Sequence, residues 1–126
     1  MKKLYTLITV FALVSQIGNA QNFSFTEGNL IEKDIVLEEF ETAESKILNE
    51  SDESVTFEWE MITFDNPFGW EFSLCDYASC YTSGETSGTM TAVEGGSESA
   101  FFKVNVYASN AGVGTYSIVC WDQALP

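Results

Sequence analysis

An all-β sandwich behind a cleaved export signal is the fold this sequence predicts. Three observations predict it: a charged and then apolar start, runs that alternate apolar with polar residues, and turn residues at short intervals between them. The chain of 126 residues has room for one domain and not for two. Hydrophobic residues make up 45% and charged residues 19%, which supplies a core and rules out a disordered acidic tail.

The export signal comes first. Met1-Lys2-Lys3 is a positive start, Leu4 to Val14 is apolar, and Gly18-Asn19-Ala20 offers small residues to a signal peptidase, so residues 1–20 read as a signal peptide and Gln21 as the mature start. The apolar run is too short for a membrane span of about 20 residues, and no stable membrane insertion is expected.

Residues 21–126 read as a single domain of strands. The segment Lys33 to Glu53 contains Glu38-Glu39-Phe40-Glu41 and Glu44-Ser45-Lys46-Ile47-Leu48, which a helix could accommodate. The period-two placement of Ile35 and Leu37, and the turn-like Asn49-Glu50-Ser51-Asp52, favour strands. From Val55 the alternation is clean: Val55, Phe57, Trp59 and Met61 share one face, Thr56, Glu58 and Glu60 the other. Trp59 therefore belongs to the core. Asp65-Asn66-Pro67-Phe68-Gly69 supplies a reversal, and Trp70, Phe72 and Leu74 alternate in the strand after it. Asp76 to Gly88 reads as a polar connection, followed by strands at Phe102 to Tyr107 and Gly114 to Trp121. Short strands at this spacing indicate a sandwich or a small barrel, and a length of about 100 residues favours an immunoglobulin-like antiparallel sandwich.

Charge removes whole classes of function. Beyond residue 20, 19 acidic residues face Lys33, Lys46 and Lys103, a formal charge of −16, and the chain has neither Arg nor His. Nucleic acid is excluded as a partner, because its binding needs cationic side chains to displace counterions. An anionic membrane face is disfavoured by the same sign. Without imidazole, general base catalysis falls to carboxylates, Lys or Tyr.

Three cysteines bear on chemistry. Cys75 and Cys80 form C-x4-C, which in an oxidising compartment closes a small disulfide loop. The competing reading is a redox-active pair, but that chemistry favours C-x-x-C at a helix start beside cations, and here Asp76 is the neighbour. Cys120 alternates with Ile118 and Tyr116 and reads as a buried free thiol, with an intermolecular bridge as the other reading.

The remaining candidates are weaker. Glu58 and Glu60 lie roughly 6.5–7 Å apart along one strand face, a spacing compatible with a glycosidase pair, yet alternate acids on a half-buried strand are ordinarily a solvated face. Calcium would suit the acidic surface, but no D-x-[DN]-x-[DN]-G loop occurs, so no metal or cofactor is expected. Asn22-Phe23-Ser24 and Asn49-Glu50-Ser51 match the glycosylation sequon. Phe68, Trp70, Tyr77 and Tyr81 surround the Cys75–Cys80 connection in sequence. With Trp121 they form a candidate recognition surface, although core packing or a hydrophobic cover for the connection is the more ordinary use of such rings.

The pattern Val55-Thr56-Phe57-Glu58-Trp59-Glu60, Asn66-Pro67-Phe68-Gly69-Trp70, Leu74-Cys75-Asp76, Cys80-Tyr81 and Phe101 to Tyr107 resembles immunoglobulin-like modules of secreted Bacteroidota proteins. Those proteins often carry a type IX secretion C-terminal sorting domain. The resemblance implies an exported, non-catalytic extracellular module, secreted or at the cell surface. The chain ends at Leu125-Pro126 without a sorting domain, so the module reads as truncated at its C-terminal end or released alone. The expected function is a secreted accessory or recognition module with a protein or carbohydrate partner outside the cell. The rivals are a carbohydrate-binding module with exposed Trp70 or Trp121, and a small extracytoplasmic hydrolase or thiol oxidoreductase.

Overall fold

A computed structural model describes the backbone of residues 5–14 and all of residues 22–125. The elements are β1 (Tyr5–Val14), β2 (Phe23–Phe25), β3 (Leu30–Val36), β4 (Phe40–Asn49), β5 (Phe57–Asp65), β6 (Glu71–Asp76), β7 (Cys80–Thr82), β8 (Ser87–Thr89), β9 (Ala100–Tyr107) and β10 (Gly114–Asp122). No helix forms among the described residues, so none is long and apolar enough to cross a membrane.

Two five-stranded sheets pack face to face, ordered β3-β1-β10-β5-β8 and β2-β4-β9-β6-β7. Every pairing is antiparallel except β1 with β10, which is parallel. The apolar run of the expected leader therefore supplies the backbone of β1, while the charged start and the Ala20 cleavage point lie outside the described residues.

The core lies between the sheets, where period two places it. Phe57, Trp59 and Met61 point inward from β5, Tyr116, Ile118 and Cys120 from β10, and Phe102, Val104 and Val106 from β9. The segment from Lys33 to Glu53 holds the end of β3 and all of β4, and the helical alternative fails because Ala43, Ser45, Ile47 and Asn49 all face the core at period two. The turn between β3 and β4 sets Glu38 at φ 62°. The stretch expected as a polar connection holds β7 and β8, three residues each, too short for alternation to announce them.

One irregularity reshapes an end of the sandwich. Met61 pairs with Ile118 but Thr63 pairs with Ser117, so Ile62 is an extra residue that bulges from β5. The bulge resets the alternation and turns Phe64 toward Phe72 and Tyr116, with ring centroids 4.9 and 5.6 Å away.

Candidate functional site

β6 separates what the sequence placed together. Its six residues span roughly 20 Å, with the Phe68–Trp70 turn at one end and the Cys75–Cys80 loop at the other. Phe68 and Trp70 consequently do not meet Tyr77 and Tyr81, and the two groups stand at opposite ends of the sandwich.

At the disulfide end, Cys75 and Cys80 are opposite partners of the β6–β7 pairing and are bonded, with Cα atoms 4.0 Å apart. Such bonds form and persist in oxidising compartments. The loop they close is organised by Asp76. Its Oδ1 accepts from the backbone N–H of Ala78 (2.7 Å) and Ser79 (2.9 Å), and its Oδ2 accepts from Trp59 Nε1 (2.7 Å). Tyr81 stands edge-on to Trp59 at 5.3 Å, and burial, reinforced by the charge and hydrogen bond of Asp76, pushes its hydroxyl pKa up. Outside the loop lies an open depression of about 360 Å³, lined by Tyr77, Phe101 and Lys103 among others. Its one cation is engaged: Lys103 Nζ lies 5.0 Å from the Phe101 ring centre and 3.6 Å from Glu44. A closed disulfide across two strands, away from any helix start, has the geometry of a staple.

The opposite end presents apolar surface on a rigid mount. Phe68 is 96% exposed at the tip of the turn between β5 and β6. Trp70 N–H donates to the Pro67 carbonyl at 3.1 Å, and Gly69 between them adopts φ 84°, a conformation that glycine accepts without strain. The loop between β9 and β10 grips the turn from the side: Asn110 Nδ2 donates to the Phe68 carbonyl (3.1 Å) and Ser109 Oγ to the Gly69 carbonyl (2.9 Å). Trp70 Nε1 donates to both the backbone oxygen and Oδ1 of Asn110, Asn66 Nδ2 donates to the Trp70 carbonyl, and Tyr116 OH donates to Asn66 Oδ1. Burial pushes the Tyr116 hydroxyl pKa up. Val113 and Phe40 are exposed at the same end, Phe40 at 75% and packed on Tyr107 at 5.0 Å. Glu38, Glu39, Asp65 and Glu71 ring this end with acid.

The other sequence candidates fall as follows. Trp70 is 6% exposed and belongs to the core, which removes it from any flat stacking row. Trp121 is half-buried on β10 and donates from Nε1 to Glu58 Oε2 (3.1 Å), while Gln123 Nε2 donates to Glu58 Oε1 (3.0 Å). Glu58 is thus tied down, and Glu60 points to solvent without it. Asn49 of the second sequon is fully buried. Its Nδ2 donates to the carbonyls of Glu53, Val93 and Glu94, so it organises two loops and is closed to glycosylation in the folded chain, whereas Asn22 is exposed. Cys120 is buried and unpaired, and burial pushes its thiol pKa up. Among the described residues, no three His, Cys, Asp or Glu gather as metal ligands would.

Phe40, Asn66, Asn110 and Tyr116 went unassigned by sequence reasoning. Asn66 and Asn110 carried a signal as turn residues, but nothing local joins positions separated by 40 or 50 residues.

No protein-family model matches the chain. No curated protein matches it in sequence. Among solved structures, the chain is similar to the N-terminal domain of PorA, with a TM-score of 0.54 at 12% identity, over 96% of this chain and 87% of that one. The shared property is the all-β, two-sheet fold.

Proposed function

We propose that the chain is an exported, non-catalytic, immunoglobulin-like module that recognises a protein partner outside the cell through the Phe68 end of its sandwich. The observation that carries this reading is the exposed Phe68 ring on a turn held by hydrogen bonds from three side chains. Covering a side chain of that size gains about 1.5–3 kcal/mol, and a pre-ordered turn loses little freedom on docking. The apolar centre with its acidic rim fits a partner surface that is apolar in the middle and lined by Lys or Arg. Export is supported by the leader-like start and by the disulfide. The absence of catalysis is supported by the engagement of Glu58 with Trp121 and Gln123, and by a sequence without histidine. The likeness to the PorA domain supports the two-sheet fold of the module and no particular ligand.

The test is site-specific crosslinking on cells that export the protein. A photoreactive phenylalanine analogue in place of Phe68 is expected to form an adduct that weakens as salt rises, and the same analogue at exposed Glu85 is expected to form none. Equal adducts at both positions, or none at position 68, would overturn the reading.

A further inference from the structure

β1 runs antiparallel to β3 from Tyr5↔Val36 to Phe11↔Leu30, and parallel to β10 from Ile8↔Gly114 to Val14↔Cys120, seven residue pairs on each side. β3 has no other neighbour in its sheet, whereas β10 is backed by β5. The ten residues of β1 are also the apolar run of the leader, and cleavage after Ala20 would remove them. The processed sandwich would then carry a slot one strand wide. Its walls are two rows of backbone N–H and C=O groups about 9.5 Å apart, in strands that hold the fully buried Ile35, Tyr116 and Ile118. Unpaired backbone beside a core is costly, and one extended segment satisfies both rows at once.

We propose that the processed chain accepts, between β3 and β10, an apolar strand of about ten residues donated by a different exported polypeptide. The proposal rests on the export reading above and is independent of the Phe68 surface. The donor's chemistry is read from the seat: Tyr5–Val14 is uncharged, free of Pro and Gly, and rich in β-branched and aromatic residues. A second processed copy is a poor donor. β4, β5, β6, β9 and β10 are engaged in its own sheets, and its released β3 would bring Glu32, Lys33 and Asp34 into an apolar seat.

The experiment takes the exported protein from cells expressing the full chain, fixes its first residue by intact mass, and follows amide hydrogen exchange over residues 30–36 and 114–120. The probe is a synthetic peptide with the sequence of residues 5–14, flanked by lysines for solubility. In chain beginning at Gln21, the peptide should slow exchange in both segments at least about tenfold. The same peptide carrying Thr9→Pro and Phe11→Pro should leave exchange unchanged, because proline cannot complete the ladder. Phe68→Ser should not alter the response, which separates this slot from the recognition end. A processed chain that is disordered alone and gains sheet with the peptide supports the proposal. So does protection already present in chain that carries a second, bound polypeptide. Protection in bare chain, no response to the peptide, or a recovered chain that retains residues 5–14 would each overturn it.

Discussion

The Asp76 carboxylate accepts the Trp59 indole N–H at 2.7 Å in the core, joining β6 of one sheet to β5 of the other. The same carboxylate orders the disulfide loop through Ala78 and Ser79, so a single buried acid connects the staple, the loop and the largest fully buried side chain. Tyr81 and Phe102 pack edge-on to that indole at 5.3 and 6.0 Å, and β8 passes so close that Gly88 leaves it room. A buried acid is tolerated because each of its oxygens has a donor.

Asp76→Ala should cost about 2–4 kcal/mol, because the buried indole N–H and two loop amides lose their acceptor together. Gly88→Ala should cost about 1–3 kcal/mol, since a Cβ there would stand 2.7 Å from Trp59 Cε2. Trp59→Ala should cost about 3–5 kcal/mol through lost burial and the cavity left behind. Urea unfolding of the three variants checks the set. A Gly88→Ala protein as stable as the parent would show that the indole can move aside.

Peptide mapping without reduction should recover Cys75 linked to Cys80 and Cys120 free. Cys80→Ser should cost about 2 kcal/mol or less, because the closed loop is short. Cys120 should resist alkylation in the native protein at pH 8 and react at once in denaturant, as burial both shields the thiol and holds its proton. Rapid native alkylation would place Cys120 outside the core.

The strands were legible because alternation is a local signal: Val55 to Met61 and Phe102 to Tyr107 each announced their buried face without help from distant residues. Alternation failed where a strand was too short, as in β7 and β8, or where the period broke, as at the Ile62 bulge that turned Phe64 around. The disulfide was legible from spacing and compartment. The recognition end was only half legible. Adjacency in sequence placed Trp70 beside Tyr77, yet a strand running between them carried the two to opposite ends. Asn110, from a loop 40 residues away, fixed the Trp70 ring in the core and left Phe68 outside.

That division of Phe68 from Trp70 is measurable. Trp70→Ala should cost about 3–5 kcal/mol, as for any large buried ring, whereas Phe68→Ser should stay within about 0.5 kcal/mol of the parent. Asn110→Ala, which frees the Phe68 carbonyl and one acceptor of the Trp70 indole, should cost about 1–2 kcal/mol and speed amide exchange across residues 66–70. Equal losses for Trp70→Ala and Phe68→Ser in urea would contradict the burial on which the recognition end depends.

Alkaline pH should weaken the fold through groups that the core keeps protonated. Burial raises the pKa of Cys120 above its ordinary 9.0 and those of Tyr116 and Tyr81 above their ordinary 10.0, with nearby Asp65 adding to Tyr116 and Asp76 to the other two. When a folded pKa exceeds the unfolded one, the unfolded chain releases its proton first as pH rises. The stabilisation is therefore complete below the unfolded pKa and is lost above it, toward the folded value. Stability should accordingly be insensitive to these groups up to about pH 8.5, and then fall, first through Cys120 and then through the tyrosines. Urea midpoints at pH 8, 9.5 and 10.5 test the order. Cys120→Ala, which removes the first of these groups, should flatten the drop between pH 8 and 9.5 and leave the later one in place. An unchanged drop in that variant would mean that Cys120 is not the group that titrates first.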